Sequence, residues 1–255
     1  MNADDGVCAR VEKASGLRIE WRAECASTNT VLREQAEAGA PSGKALVADR
    51  QTAGRGRRGR VWHSTPEDSL TFSVLFRGGA GARAGLSLAA GLALLRALEK
   101  LGARALRLKW PNDLLCRKDG VDAKLAGVLI ECAGDAVIIG VGLNLRAPDL
   151  PEQATAGLSD CMDIPVERSA ALAAILRELD SMWADFAARG FAPLRADWQA
   201  RHVWQEKSVR LTEAGRVLAE GVCRGVDDNG ALRLAAAGGE RIFWAGDLSL
   251  RAGAA

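Results

Sequence analysis

The chain lacks any large net charge. Its 34 lysines and arginines nearly balance 32 aspartates and glutamates, which leaves a formal charge of +2 at pH 7. So small a charge gives no whole-molecule attraction to nucleic acid or to a membrane surface, and any cationic site must be local. Long apolar runs are also missing, since the longest weakly polar stretch, residues 84–95, is too short to span a bilayer. The N-terminus carries Asp4 and Asp5 and no apolar run, so we expect no secretory signal.

The cysteines lack any paired spacing. The six are Cys8, Cys25, Cys116, Cys132, Cys161 and Cys223, and no two form a C-x-x-C motif. This argues against a zinc cage and against a disulfide framework, and it is typical of a cytoplasmic protein. Aromatic residues make up only 5% of the chain, and no run interleaves them with basic residues as stacking platforms for RNA require.

Hydrophobic periodicity predicts strands and helices along most of the chain. Leu17, Ile19 and Trp21 alternate with polar residues as in a half-buried strand, and Ser27 can cap a helix over about 29–38. Further helices are predicted over 84–101, 167–188 and 193–201, and further strands over 44–50, 70–76, 106–110, 125–132 and 137–145. We expect the 125–132 strand to form a sheet edge that could pair across a dimer, so the chain is predicted to be a monomer or a homodimer.

The character of the sequence changes after about residue 204. Short apolar segments alternate there with turn signals, and the Asn229-Gly230 pair is a strong hairpin signal. We predict that residues 205–255 form a small, separate β-barrel-like domain and that residues 1–204 form the larger one.

A glycine- and arginine-rich loop connects two of the predicted strands. Residues 51–62 read Q-T-A-G-R-G-R-R-G-R-V-W, and the glycines satisfy G-x-G-x-x-G. A dinucleotide-binding fingerprint also needs a helix directly after the glycines and an acidic residue about 20 positions further on. Here the loop runs into Pro66 and a predicted strand, and residues 78–80 are Gly-Gly-Ala. The pattern therefore argues against a Rossmann site.

The same loop contains four arginines, Arg55, Arg57, Arg58 and Arg60. Guanidinium groups bind carboxylates and phosphates in a bidentate way, and interleaved glycines let backbone amides approach the same anion. A solvated basic loop or an RNA-contacting patch would explain this composition as well. We expect the loop to be disordered until bound anions order it, when it could exclude water from a reactive intermediate.

Three further segments place polar side chains at predicted strand ends. L-K-W-P-N-D-L groups Lys109, Asn112 and Asp113, although Pro-Asn-Asp is also ordinary turn chemistry. K-L-A-G-V-L-I-E opens with Lys124, which could equally be a solvated lysine at the end of a strand. G-V-G-L-N, residues 140–144, places two glycines in a strand, which predicts either close approach of a ligand or backbone, or a simple bend. No single segment identifies an activity, although a purely structural protein would not need this clustering.

In this order the segments closely resemble the biotin–protein ligase family. The resemblance is carried by Ser27-Thr28-Asn29, Gln51 with G-R-G-R-R-G-R, K-W-P-N-D, K-L-A-G-V-L-I-E and G-V-G-L-N, and it covers about residues 18–250. It implies an α/β (α+β) fold, in which a catalytic domain with a mixed β-sheet flanked by helices precedes a small SH3-like β-barrel domain. It also implies that biotin is activated to biotinyl-AMP by ATP and then transferred to a carrier lysine. A related lipoate ligase would share this chemistry, but the arginine loop and the SH3-like tail favour biotin.

The resemblance implies a role for each matching residue. Biotin would be held by Ser27, Thr28, Asn29, Gln51, Arg55, Gly56, Arg57 and Lys124. The nucleotide would be held by Arg57, Arg58, Trp62, Lys109, Asn112 and Asn144, with Trp62 stacked on adenine. Arg57 and Lys124 would be catalytic, and Asp113 would help either a metal ion or the incoming amine.

The family likeness also implies substrates and partners. These are ATP with Mg²⁺, biotin, and a biotin carboxyl carrier protein domain that offers the acceptor lysine; no residues are assigned to a metal site. Only 26 residues precede Ser27, too few for the winged helix-turn-helix domain of repressor members, so we expect no specific DNA binding and no membrane partner. His63 and His202 match no motif and are expected to be surface or core residues.

Overall fold

Two β-sheets organise the part of the chain that the computed structural model describes, residues 3–78, 83–150, 153–213, 215–244 and 248–253. The first sheet contains β1 (Arg18–Cys25), β2 (Lys44–Gln51), β3 (Ser69–Arg77), β4 (Leu106–Lys109), β5 (Asp113–Lys118), β6 (Val121–Ala133) and β7 (Ala136–Asn144). The second contains β8 (Ser208–Glu213), β9 (Arg216–Val226), β10 (Leu232–Ala236), β11 (Gly239–Phe243) and β12 (Leu248–Ala252). The helices are α1 (Ala3–Ser15), α2 (Thr28–Glu37), α3 (Leu86–Lys100), α4 (Arg168–Arg189) and α5 (Arg195–Ala200).

The first sheet is mixed, as expected. Its strand order is β1-β2-β3-β7-β6-β5-β4, in which β1 and β2 are parallel and the other neighbouring pairs are antiparallel. The predicted strand over 125–132 lies inside β6, which is hydrogen-bonded to β7 on one side and to β5 on the other. The register divides this strand: residues 126–127 pair with both neighbours and are not an edge, so the expectation is wrong for them. Among the described residues, 129–132 pair with β7 alone, so a sheet edge that pairs across a dimer stays a prediction there.

Helices pack on both faces of the first sheet. One face buries four side chains of β3 in a cluster with α3 and α4: Leu70, Phe72, Val74 and Phe76. Phe76 stacks on Trp183 of α4 with ring centroids 5.2 Å apart. On the opposite face, Leu32 of α2 packs in a smaller cluster with Leu46, Leu75, Ala136 and Ile138. The helices α3 and α4 therefore close one face, and α2 covers part of the other.

Most predicted helices and strands are present, and two elements were not predicted. The helix after Ser27 begins at Thr28, and Ser27 occupies its N-cap position without a capping hydrogen bond from its side chain. The sequence did not predict α1 or β5. His202 is buried, and burial together with the charge of Lys207 lowers the pKa of His202 to about 3. His63 is exposed, and it lines the pocket described below, so its lack of a role there stays a prediction.

The C-terminal domain contains the second sheet, which is antiparallel throughout with the order β11-β10-β9-β8-β12. Its core is formed by Val209, Leu211, Cys223, Leu232, Leu234 and Leu250, each no more than 1% exposed. A separate small β domain is thus confirmed. Closure of its sheet into a barrel and a boundary between 1–204 and 205–255 stay predictions. Among the described residues, no helix is long and apolar enough to cross a membrane.

Candidate active site

A pocket lies on the α2 side of the first sheet, beyond the part that α2 covers. Along β7, Ala136 and Ile138 pack with α2, and the next residues on the same face are Gly140, Gly142 and Asn144, which line the pocket. All fourteen residues that the sequence predicted for the site line this pocket. The structure therefore brings together residues that are widely separated along the chain.

Uncharged hydrogen-bonding groups line one end of the pocket. They come from the start of α2 and the end of β2. Gln51 Oε1 accepts hydrogen bonds from the backbone N–H of Thr28 at 2.7 Å and from its hydroxyl at 3.2 Å. The hydroxyl oxygens of Ser73 and Thr28 are within hydrogen-bond distance at 2.6 Å, and Ser27 is buried beside Thr28. This end is pre-organised and suits a neutral polar group such as an amide or a urea ring.

Asn29 is fixed by other side chains. Its Oδ1 accepts a hydrogen bond from Ser73 at 2.6 Å, and its Nδ2 donates to Glu131 Oε2 at 2.7 Å. A Cβ on Gly140 would lie 2.2 Å from Asn29 Oδ1, so only glycine leaves room for the amide there. Arg55 donates to both carboxylate oxygens of Glu131 at 3.1 Å. Because its polar atoms are already bound, Asn29 orders this end of the pocket, and its contact with biotin stays a prediction.

The arginine loop has a defined conformation. The Gly56 N–H donates to the carbonyl of Arg60 at 2.7 Å, and the Trp62 N–H donates to that of Gly54 at 2.9 Å. A short 3-10 turn, Arg57–Gly59, lies inside the loop, and the next element is β3. A strand follows the glycines where a dinucleotide fingerprint needs a helix, so the exclusion of a Rossmann site is confirmed. Disorder of this loop without ligand stays a prediction.

The loop contacts different walls of the pocket through its arginines. In addition to the Arg55 contact on β6, Arg57 Nη1 donates to Asn112 Oδ1 at 3.2 Å. Arg58 Nη1 donates to Ser249 Oγ, on β12, at 2.9 Å. The loop thus spans from the first sheet to the C-terminal domain and places guanidinium groups along the pocket.

Asp113 lies between two lysines. Lys124 Nζ is 2.9 Å from Asp113 Oδ1, and Lys109 Nζ is 3.9 Å from Asp113 Oδ2. The three converge because Asp113 pairs with Lys109 across β4 and β5, while Lys124 lies on the neighbouring β6. Burial lowers the pKa of Lys109 to about 8, with a smaller opposing effect from Asp113 and further lowering by Arg251 and Lys124. Two lysines around one carboxylate leave an excess positive charge that can accept an anion.

Trp62 lies over two glycines of the sheet. A Cβ on Gly142 would lie 2.2 Å from its ring, whereas a Cβ on Gly127, directly opposite on β6, would lie 3.6 Å from it. Lys124 Nζ is 5.7 Å from the ring centroid, within cation–π range. The indole N–H is buried and has no hydrogen-bond partner among the described residues. The glycines of G-V-G-L-N therefore make room for the side chains of Asn29 and Trp62, and stacking of Trp62 on adenine stays a prediction.

Asn144 supports the lysine end of the pocket. Its Nδ2 donates to the carbonyl of Lys124 at 3.2 Å and to that of Ala156 at 3.1 Å. These bonds fasten the segment around Ala156 to β6. Because Nδ2 already donates two hydrogen bonds, the side-chain oxygen is the atom of Asn144 that is left to contact a nucleotide. That contact stays a prediction.

Several residues near the pocket were missed in the sequence. Ser249 and Arg251 lie on the same face of β12 and line the pocket from the C-terminal domain. Ser73 and Glu131 hold Asn29, as described above. No local motif marks these residues. The S-L-R spacing at 249–251 places Ser249 and Arg251 on one face of a strand. The sequence alone does not show that this strand, β12, lies beside the arginine loop.

The described residues do not form a preformed metal site. They contain no group of three or more His, Cys, Asp or Glu side chains that could hold a metal ion. Of the described residues that line the pocket, Asp113 alone has a carboxylate, and Lys124 is paired with it. Mg²⁺ is usually bound through one or two carboxylates together with substrate phosphates. The residues present therefore do not fit an all-protein magnesium site.

Comparison with known proteins relates both domains to one family. Residues 22–144 match the model of the Biotin/lipoate A/B protein ligase family, and residues 206–251 match that of the Biotin protein ligase C terminal domain. The Biotin--[acetyl-CoA-carboxylase] ligase of Mycobacterium tuberculosis is 37% identical over 249 residues, which cover 91% of each chain. The Bifunctional ligase/repressor BirA of Escherichia coli is 36% identical over 221 residues, covering 82% of this chain and 67% of BirA.

Solved structures of the family share this fold. The biotin protein ligase from Aquifex aeolicus in complex with biotin and ATP superimposes with a TM-score of 0.80 at 29% identity, covering 92% of this chain and 98% of that one. The Leishmania major enzyme in complex with biotinyl-5-AMP superimposes with a TM-score of 0.63 at 25% identity, covering 89% and 98%. Since the Mycobacterium tuberculosis relative is matched over nearly its whole length and both family models match in chain order, the chain belongs to the biotin protein ligase family.

Proposed function

We propose that the chain activates biotin with ATP and then transfers it to a lysine of a carrier protein. The Aquifex aeolicus and Leishmania major relatives were captured with biotin and ATP and with biotinyl-5-AMP, respectively. In this chain, the observation that carries the proposal is the pocket. One end offers neutral hydrogen-bonding groups, the other an excess of positive charge, and the arginine loop lies along both. A neutral ring that bears a carboxylate, joined to a nucleotide phosphate, has this distribution of charge.

In the first step, a carboxylate oxygen of biotin attacks the α-phosphorus of ATP. A carbon–oxygen–phosphorus anhydride forms, the bond from that phosphorus to the β-phosphate oxygen breaks, and pyrophosphate leaves. Two anions must approach, and two unit charges about 4 Å apart repel by roughly 4 kcal/mol at an effective dielectric of 20. Lys109, Lys124 and Arg57 supply the opposing charge, while Ser27, Thr28 and Gln51 hold the ureido ring.

In the second step, the acceptor lysine amine attacks the carbonyl carbon of the anhydride. A carbon–nitrogen bond forms, AMP leaves with the electrons of the broken carbon–oxygen bond, and the amine loses a proton. We assign to Asp113 the orientation of this amine, because its carboxylate is the one acidic group among the described pocket residues. Mg²⁺ enters with the ATP phosphates, and no residue of the chain is assigned to it.

The acceptor that we propose is a biotin carboxyl carrier protein domain of an acyl-CoA carboxylase. Two relatives are named as ligases for acetyl-CoA carboxylase. We place the reaction in the cytoplasm, an assignment that the free state of all six cysteines supports. The proposed state is a monomer or a homodimer.

The experiment mixes protein, MgATP and an acid, and measures the adenylate by mass spectrometry and pyrophosphate by a coupled assay. Biotin, lipoate and no acid are compared in parallel. We expect adenylate with biotin only, and then biotin transfer to a carrier domain but not to one whose acceptor lysine is replaced by arginine. Product with lipoate alone would reassign the substrate, and no product from the folded protein would overturn the proposal.

A matched pair of lysine variants tests the cationic end. Lys124→Met removes the charge that pairs with Asp113, and we expect a loss of about ten- to a hundredfold in adenylate formation, because a charged hydrogen bond contributes about 1.5–3 kcal/mol. Lys13→Met makes the same change at an exposed position of α1 and should leave the rate unaltered. Equal rates in the two variants would remove Lys124 from the catalytic assignment.

A further inference from the structure

Trp110 connects the pocket to the C-terminal domain. Its indole N–H donates to the backbone carbonyl of Gly230 at 3.1 Å, and the side chain is fully buried. Gly230 lies in the turn between β9 and β10. A single buried hydrogen bond therefore runs from the K-W-P-N-D segment to the second sheet.

The turn that receives this bond is held firmly in place. Asp227 Oδ1 accepts hydrogen bonds from the backbone N–H groups of Asn229 and Ala231, both at 2.9 Å. Gly230 has a φ of +79°, and a Cβ on it would lie 2.7 Å from the Cα of Gly85, the residue before α3. The turn can therefore serve as a fixed point against which Trp110 is placed.

The residues that follow Trp110 reach the ligand side of the pocket. Asn112 Nδ2 donates to the carbonyl of Val128 at 2.8 Å, while its Oδ1 accepts a hydrogen bond from Arg57 at 3.2 Å. The next residue is Asp113. The position of Trp110 thus sets the start of the short segment that presents Asn112 to the arginine loop.

We propose that Trp110 is a positioning residue. Through its bond to Gly230, the C-terminal domain fixes where Asn112 stands and so where Arg57 meets the nucleotide. The inference rests on the proposed function and extends it, because it assigns to the C-terminal domain a role in the adenylation step. The end of the pocket that offers neutral hydrogen-bonding groups is built from β2, β3 and α2, whereas Arg57 is assigned to both biotin and the nucleotide.

The test is Trp110→Phe, which keeps an aromatic ring and removes the N–H. We expect the KM for ATP to rise about three- to tenfold, the size of one lost hydrogen bond, and the KM for biotin to rise less, since Arg57 is one of several residues assigned to biotin. Trp183→Phe makes the same change in a buried tryptophan of α4, on the far face of the sheet, and should leave both KM values unaltered. Thermal melting of both variants shows whether they are equally folded.

The possible outcomes distinguish a failure of this inference from a failure of the proposed function. A wild-type protein that forms no adenylate overturns the proposed function. An active wild type with an unaltered KM for ATP in Trp110→Phe overturns the inference alone. If Trp110→Phe raises the KM values for ATP and biotin by the same factor, Trp110 has only a general structural role, and the inference is again overturned.

Discussion

A single methyl group added to the floor of the pocket tests what the glycines of G-V-G-L-N do. In Gly142→Ala, the new Cβ would lie 2.2 Å from Trp62 Cε2 and 2.4 Å from Cζ2. Real Cβ contacts are not this short, so one of the two groups must move. Trp62 is half-buried and belongs to the arginine loop, whereas Gly142 is paired on both sides within the sheet. We therefore expect the Trp62 indole to move away from this position and the backbone of β7 to keep its place in the sheet.

The expected magnitudes follow from this geometry. An extra methylene in a closed core lowers the free energy of unfolding by about 1–3 kcal/mol. Because the Trp62 ring can move, we expect a loss of no more than about 1 kcal/mol. Aromatic stacking contributes about 0.5–1.5 kcal/mol, so if Trp62 stacks on adenine as we propose, loss of that contact raises the KM for ATP about two- to twelvefold.

The assay is pyrophosphate release at varied ATP and saturating biotin, with thermal melting alongside. Gly127→Ala is the matched control, since its Cβ would face the same ring from the opposite strand at an ordinary 3.6 Å. It should keep the wild-type KM for ATP. Equal effects in both variants, or an unaltered KM in a stably folded Gly142→Ala, would refute the placement of Trp62 beside the nucleotide.

Four further predictions concern the loop, the lysine pair and DNA. Arg57→Gly should still form adenylate but release it, raising biotinylation of serum albumin about ten- to a hundredfold at matched adenylate production; a melting temperature several degrees lower would instead show a structural role. Because the pKa of Lys109 is lowered to about 8, its positive charge is lost as pH rises through that value, so kcat/KM for ATP should fall there. In Lys109→Arg the side chain stays charged, so kcat/KM for ATP should not change with pH in this range. A wild-type kcat/KM that is also independent of pH would contradict the role given to the charge of Lys109. Trypsin should cut residues 54–60 more slowly with biotin and ATP present, and equal rates would remove the gating role from the loop. DNA binding should be weak and salt-sensitive, which a sequence-specific footprint at physiological salt would contradict.

The periodicity of apolar residues in the sequence predicted the helices and strands that bury a broad apolar face. The helix α3 is rich in leucine and alanine, and eleven of its residues are buried. By contrast, among the α1 side chains that the structure describes, only Val11 and half-buried Val7 are apolar residues packed against the core, so the pattern is too sparse to predict a helix. The strand β5 was missed because Pro111-Asn112-Asp113 has the composition of a turn, whereas Asp113 already pairs with Lys109.

Motifs predicted residues that line the pocket, and they missed residues that sheet register brings to it. Ser73 reaches Asn29 because β3 pairs with β7 so that Ser73 lies opposite Gly140. That pairing joins residues far apart in the chain, and no local pattern encodes it. The edge prediction for 125–132 meets the same limit, since the alternation of one strand does not tell that β5 pairs with it as far as Gly127.

The contribution of β12 to the pocket wall links ligand binding to the folding of the C-terminal domain. Ser249 holds Arg58, and both line the pocket, so a complete site exists only while the two sheets are folded together. A ligand that binds only the folded chain stabilises it by about 2.7 kcal/mol at a hundred times its Kd. A ligand that contacts both walls of the pocket should therefore raise the free energy needed to open the C-terminal domain. Proteolysis of the C-terminal domain should therefore slow when the pocket is occupied.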